Sequence, residues 1–387
     1  MPDAAASGKI EGSRRINSSK STTTDKQWYP AIDGLRAIAV FLVLTEHWAF
    51  FLVRDLPPLV RPGRFGVQLF FVISGFLITQ IILKSVHDGQ REPGANLRFL
   101  RSFYARRFLR IFPLYYAVLF IAVLLGVQEI RDRAAWHFTY TSNVYDSIFG
   151  VSGSYGHFWS LCVEEQFYIV WPFTLVLFRQ CRGLAAILLA LLLYPSTIIG
   201  LSLAGVEEFI TASPLGCLHT LGGGSLLAWL SLNANAGVVY RTLLSPQWLF
   251  MTFAAYSAFV VFGSDPGCVL YLAHHLLMAL FLTACVAWAS DSQASRLRKV
   301  LENPALQYCG KISYGIYVIH PFVPEMIRWV FAKWQLNAAA SLGKLQLPVF
   351  FIVTIAIAST SWYLMESPIN RLKGRFPYIR SRVLATE

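Results

Sequence analysis

Charge is scarce in this chain. Asp, Glu, Lys and Arg supply 14% of its 387 residues, against about 25% in an ordinary soluble domain. That shortage argues against a soluble globule of this size. Cysteine is also sparse. The six residues (Cys162, Cys181, Cys217, Cys268, Cys285 and Cys309) include no Cys-x-x-Cys pair, so neither a metal ribbon nor a disulfide framework is expected. The alternation of apolar and polar residues that marks a barrel strand is missing, which argues against a transmembrane β-barrel. There is no phosphate loop: Gly222-Gly223-Gly224 lacks the Lys that would follow it, and close helix packing is the expected use of those glycines. No cleavable signal is expected, because the first apolar stretch is too long and starts too late. No internal repeat is visible.

Hydrophobic residues, by contrast, make up 55% of the chain, and the mean hydropathy is +0.50. Runs of roughly 20 apolar residues recur along the whole length, each long enough to cross a bilayer as a helix. The expected fold class is all-α: a polytopic membrane helical bundle with ten segments at 31–53, 66–83, 111–128, 161–178, 184–203, 215–231, 246–263, 268–289, 312–331 and 346–365. The loops between them are mostly short, so one transmembrane domain is expected over residues 29–370. It lies between a disordered polar tail, 1–28, and a basic tail, 371–387. The net charge of +12 follows from topology. With both termini cytoplasmic, 24 of the 33 Lys and Arg residues fall on one side of the membrane. This is the positive-inside pattern, and it requires no nucleic-acid partner.

Against this apolar background the polar residues inside spans are informative, because charge there is costly and marks function by default. Arg36 and His47 lie in the first span. Eleven helical steps bring them to nearly one face, about 16 Å apart along the axis. That face presents a fixed cation near one leaflet and a titratable imidazole towards the other. Arg107 and Arg110, three apart at the start of the third span, share a face as well. Glu164 and Glu165 begin the fourth span, at a depth expected to match that of His47. The 84–110 loop is strongly basic. The 129–160 loop is rich in aromatic and hydrogen-bonding residues, among them His137, Tyr155, His157 and Trp159. Positive charge on one side and stacking faces on the other suit a phosphorylated donor and a neutral polyhydroxy acceptor. His274-His275 does not suggest a metal site, since adjacent helical residues diverge and no spaced carboxylate or thiolate completes one.

Five stretches carry a family likeness: Ile32-Asp33-Gly34-Leu35-Arg36 continuing to His47, Gly66 to Ile78, Phe103 to Pro113, His157-Phe158-Trp159-Ser160 continuing to Tyr168, and Ile312 to Pro321. In this order they resemble the acyltransferase-3 family, integral-membrane O-acyltransferases of bacterial glycans, lipopolysaccharides and related acceptors. Cys162 stands where a serine is usual, and Glu46 where an apolar residue is usual.

The resemblance implies a multi-pass protein of a bacterial inner (plasma) membrane. It would move an acyl group, most simply acetyl, from cytoplasmic acyl-CoA to a hydroxyl of a carbohydrate or glycolipid, without a metal. His47 is the expected general base, since a sugar hydroxyl needs one at neutral pH; it could also carry the acyl group transiently. Glu164 or Glu165 is expected to orient the imidazole. Arg107 and Arg110 are expected to hold the donor's phosphates through paired N–H groups. Arg36 either joins them or pairs with Asp33. Trp159, Ser160 and His157 are placed on the acceptor side, and Ser74, Ser160 and Ser313 are candidate acyl carriers by residue type. Glu46 is expected to be structural and Glu366 to end the last span. His320 belongs to the pattern without an assigned role. The competing class is a transporter or flippase of a glycan or lipid precursor.

Overall fold

Apolar runs broken by Pro, Gly and short polar turns become helices joined by tight connections. The computed structural model describes residues 29–49, 61–88, 94–149, 153–178, 183–203, 212–262, 268–290 and 296–378, and these contain helices and no strand. The 1–28 tail and the end of the basic tail lie outside them. The first three long helices are α1 (Pro30–Ala49), α2 (Pro62–Asp88) and α3 (Ala95–Leu124). Three short ones follow: α4 (Gln128–Asp132), α5 (Ala134–Phe138) and α6 (Ser142–Phe149). Next come α7 (Phe158–Leu177), α8 (Leu184–Leu203), α9 (Leu218–Leu232), α10 (Gly237–Leu243), α11 (Pro246–Phe262) and α12 (Cys268–Ser290). The last group is α13 (Arg296–Leu301), α14 (Pro304–Lys311), α15 (Ser313–Ile319), α16 (Phe322–Lys333), α17 (Ala338–Leu342), α18 (Gln346–Ser361) and α19 (Ser367–Arg371). A π-turn at Trp362–Glu366 joins α18 to α19.

Each of the ten expected segments meets a helix. Among the described residues, six stretches are long and apolar enough to cross a membrane: Pro62–Ser85, Ala95–Leu124, Leu184–Leu201, Leu215–Leu232, Val269–Ser290 and Ala338–Arg375. A seventh is the bent pair Ala234–Leu243 with Pro246–Val261, at 56°. The two helices richest in polar site residues, α1 and α7, fall outside that set. Asp33, Arg36 and Glu46 in one and Glu164-Glu165-Gln166 in the other reduce their apolarity. The basic stretch expected as the 84–110 loop is mostly helix. The first span after it begins at Ala95 rather than Ile111, so Arg98 to Arg110 ride on α3.

Large apolar side chains cover the exterior. Phe120, Ile121, Ile169, Val170, Phe173, Leu192 and Phe250 are all exposed. A water-facing surface would not carry such a band, whereas a lipid-facing one must. Inside, α2 and α9 pack backbone to backbone. A Cβ on Gly75 would strike the Leu221 carbonyl, and one on Gly224 would strike that of Val72. Part of the glycine run expected to pack helices therefore does so. The apolar core around this contact includes Leu69, Phe76, Leu227 and Leu282. A second core around Tyr115, Phe158 and Leu119 ties α3 and α7 to the short helices between them. Polar side chains from α1, α2, α3, α7 and α15 form a column, in which Glu164 acts electrostatically on Tyr317 and Tyr317 meets Ser160 and the His157 carbonyl.

Candidate active site

The column has a histidine end and an arginine end. At the first, His47, near the C-terminus of α1, meets His320 just beyond α15: Nδ1 of His47 lies 2.6 Å from Nε2 of His320. The ring planes are within 7° of parallel, with centroids 4.9 Å apart, a geometry that fits an in-plane hydrogen bond. His320 is fully buried, and its Nδ1 lies 2.7 Å from the Tyr317 carbonyl. A carbonyl only accepts, so that Nδ1 carries the proton. Neutral His320 then accepts at Nε2, and His47 donates from Nδ1. The lone pair of His47 is left on Nε2, on a residue that retains solvent-accessible surface. This is how a base is oriented by a second group.

His157 sits beside this pair, its ring centroid 5.1 Å from that of His320 and 6.5 Å from that of His47. The Tyr317 hydroxyl donates to the His157 carbonyl at 3.0 Å and lies 2.6 Å from Ser160 Oγ. Trp159 turns to the other side of α7 and packs edge-on against Phe71.

One turn further along α7 the chemistry becomes ionic. Ser74 Oγ donates to Glu164 at 2.5 Å, and the Tyr168 hydroxyl donates to Ser74 Oγ at 2.9 Å. The Arg107 guanidinium lies 4.9 Å from the Tyr168 ring centroid, a cation–π contact. Arg36, Arg107 and Arg110 all act electrostatically on Glu164. Asp33, Arg36 and Arg107 act on Arg110. The residues expected to bind phosphate are thus brought together, and Arg36 joins them. Arg106, one position away, instead donates to the carbonyls of Lys373 and Phe376. Arg36, Arg107, Arg110, Ser74 and Glu164 are each only partly buried, so the ionic stretch is not sealed by side chains.

The two glutamates do not sit where the sequence reading placed them. Glu164 keeps company with the arginines and Ser74, and the partner of His47 is His320. Glu165 is buried and acts on Tyr115, Tyr140 and Tyr314. Glu46 accepts from the backbone N–H of Gly63 at 2.6 Å. A carboxylate at the start of α2 satisfies a free N–H and the helix dipole, which is the structural use expected of it. Ser313 is buried, and the Tyr314 hydroxyl donates to the Ile111 carbonyl at 2.7 Å.

Two residues were passed over by reading the sequence. His320 had only its place in a motif, with nothing local to couple it to a histidine 273 positions earlier. Glu366 looked like a terminator. It is buried, accepts from Ser361 Oγ at 3.1 Å and acts electrostatically on Tyr314. A carboxylate directly after an apolar span was the available signal.

Fold and site together define a multi-pass membrane protein with a polar column among its helices. The sequence profile of the acyltransferase-3 family, described as an acyltransferase domain, matches residues 29–366, and the chain belongs to that family. It is 29% identical over 376 residues to the peptidoglycan O-acetyltransferase OatA of Listeria monocytogenes, covering 91% of this chain and 57% of OatA. It is 28% identical to YrhL of Bacillus subtilis, assigned as a peptidoglycan O-acetyltransferase, covering 90% of this chain and 56% of that one. A Staphylococcus aureus protein assigned as an O-acetyltransferase, SAR0937, is 26% identical, covering 94% and 62%. The chain therefore spans about three fifths of the length of these relatives. No solved structure matches it.

Proposed function

We propose that the protein is an O-acyltransferase of a bacterial inner membrane, moving an acetyl group from acetyl-CoA to a carbohydrate hydroxyl. The observation that carries this reading is the single polar column joining Arg36, Arg107 and Arg110 to His47 and His320. In this reading the arginine end faces the cytoplasm, as the distribution of basic residues implies. A group of guanidiniums beside an aromatic ring suits the phosphates of a coenzyme A thioester. The donor's pantetheine arm is long and unbranched, and the axial step of about 16 Å from Arg36 to His47 is of the kind such an arm spans.

The chemistry follows from the tautomers. His47 Nε2 takes the proton of the acceptor hydroxyl as its oxygen attacks the thioester carbonyl. A C–O bond forms and the C–S bond breaks. The proton then passes from His47 to the departing thiolate, so that free coenzyme A and the O-acyl sugar balance the reaction. His320 keeps the Nδ1 proton of His47 engaged throughout and stabilises the imidazolium that forms in between. Glu164, Ser74 and Tyr168 hold the arginines in place. The listerial and bacillary relatives carry names for acting on peptidoglycan, which supports a glycan as the acceptor; the side chains point to hydroxyl chemistry rather than to one particular sugar.

The test is acyl transfer from radiolabelled acetyl-CoA in membranes that contain the protein, with mass spectrometry of surface glycans from cells that have or lack it. Label moving to glycan, and lost in His47→Ala at unchanged expression, supports the reading. Transport of a glycan or lipid precursor with no transfer of label would replace it.

A further inference from the structure

Two buried rings beside the His47–His320 pair, Trp48 and His157, and a third one ring further out, His137, carry ring nitrogens that the protein itself does not satisfy. Trp48 is 1% exposed, His137 3% and His157 5%. The indole N–H of Trp48 and both ring nitrogens of His137 and His157 have no hydrogen-bond partner among the described residues. The carbonyls of Tyr155 and Val318 lie near His157, but neither meets it with hydrogen-bond geometry. Buried polar groups are almost always paired, so several unmatched nitrogens around one reacting imidazole call for an explanation.

Their placement supplies one. Trp48 lies edge-on to His320, with centroids 6.2 Å apart. His157 flanks His320 at 5.1 Å. His137 and His157 pack on the same Phe158 ring, at 5.4 and 4.1 Å. His137 belongs to the short helices between the spans, where burial, helped by Arg133, pushes it down to about 4. It is neutral at physiological pH, with one N–H and one lone pair. Phe350 packs edge-on against Trp48, with centroids 5.6 Å apart. Phe350 also helps line a cavity of about 380 Å³ with Pro324, Ile327, Arg328, Asn337 and Gln346. Apolar walls with a few amides and a guanidinium suit the C–H faces and hydroxyls of sugar rings.

We propose that Trp48, His157 and His137 form the acceptor subsite, reading hydroxyls of a carbohydrate next to the one that His47 deprotonates. A hydroxyl is both donor and acceptor, so it can meet a neutral imidazole from either side and accept from an indole N–H. An acyl chain or an alkyl alcohol would leave these nitrogens unmatched, which selects a polyhydroxy guest over a lipid. The cavity lined by Phe350, which packs on Trp48, gives the rest of the glycan room. This subsite rests on the acyltransfer reading above.

The test is steady-state kinetics of the full-length protein in lipid nanodiscs, with acetyl-CoA as donor and tri-N-acetylchitotriose as acceptor probe. The variants are Trp48→Phe, which keeps a ring and removes one N–H, His157→Phe, and His157→Asn, which restores an amide donor and acceptor. The acceptor KM is expected to rise about tenfold in Trp48→Phe and in His157→Phe, as the loss of one buried hydrogen bond implies. His157→Asn should recover part of that loss. The KM for acetyl-CoA should stay unchanged in all three. Normal transfer with an unchanged acceptor KM in Trp48→Phe and His157→Phe would overturn the subsite and leave the acyltransfer reading standing. If His157→Phe does not accumulate, Trp48→Phe decides alone. A wild-type protein that acylates neither the probe nor any cell-surface glycan would overturn both readings.

Discussion

The two ends of the polar column solve opposite problems. The arginine end gathers three cations and answers them with Glu164, Asp33 and a hydrogen-bonded Ser74–Tyr168 pair. The histidine end holds a chain of rings linked through one in-plane N–H···N bond and one bond to a backbone carbonyl. Fixed charge in a low-dielectric interior must be paired, and a phosphate adds to such a network without demanding proton movement. A neutral imidazole pair costs far less to bury and can change its proton state during a reaction. The contrast separates holding from reacting. In the proposed reaction a charged donor is gripped at one end, while proton transfer to and from a neutral hydroxyl occurs at the other.

The largest expected effect breaks the reacting end. His47→Ala removes the proposed base and should lower transfer by about 10²–10⁴-fold, with little change in the KM for acetyl-CoA. Measurement of labelled acetyl transfer decides it; loss of donor binding in place of turnover would merge the two ends into one. Next is His320. His320→Phe leaves the Nδ1 proton of His47 without its acceptor and should cost about 10–100-fold in kcat, as with other groups that orient a reacting side chain. His320→Gln can accept from His47 and donate to the Tyr317 carbonyl, so it should restore much of the loss. A purely packing role for His320 would rank the two substitutions the other way.

The holding end is sharpened by a change of donor. Arg110→Gln should raise the KM for acetyl-CoA about tenfold or more, since a charge-assisted hydrogen bond is lost. It should leave the KM for S-acetyl-pantetheine, which lacks the nucleotide phosphates, unchanged. Arg106→Gln is the control. Its guanidinium is committed to the carbonyls of Lys373 and Phe376, and neither donor should discriminate against it.

Much of this contrast was legible in the sequence, for physical reasons. Arg36 and His47 share a face because helical periodicity is local, and so do Arg107 and Arg110. Their separation into two ends follows from rise per residue alone. The position of Glu164 was not legible, because it depends on how far α2 and α3 slide along α7. The third span begins at Ala95, well before the apolar run, and it carries the arginines along its own helix. The fourth begins at Phe158, which sets Glu164 almost two turns in, beside Ser74. His320 and Glu366 depend on the same kind of offset between distant segments. A π-turn is also invisible to a pattern with fixed period, so the route by which Glu366 becomes buried could not be read from spacing.

The smallest expected effect on either end comes from the scaffold that holds them apart. A Cβ on Gly224 would strike the Val72 carbonyl, a backbone atom of α2 that cannot rotate away. Gly224→Ala must therefore push α9 from α2, at a cost of about 1–3 kcal/mol typical of overpacking. Gly237 has nothing within 4 Å of its Cβ position and already holds a helical conformation at the start of α10. Gly237→Ala should be neutral or stabilise by up to about 1 kcal/mol through helix propensity. Thermal unfolding in detergent should separate the two alanines, while the folded fraction of each keeps wild-type KM values for donor and acceptor. The reason is geometric. Val72 lies two residues from Ser74, but the α2–α9 contact sets the Val72 carbonyl and Gly75 of α2 against Gly224 and the Leu221 carbonyl of α9, whereas the Ser74 hydroxyl meets Glu164 of α7. A donor KM that rose in Gly224→Ala would show that α2 transmits strain into the arginine end, and the holding end would then include the α9 interface.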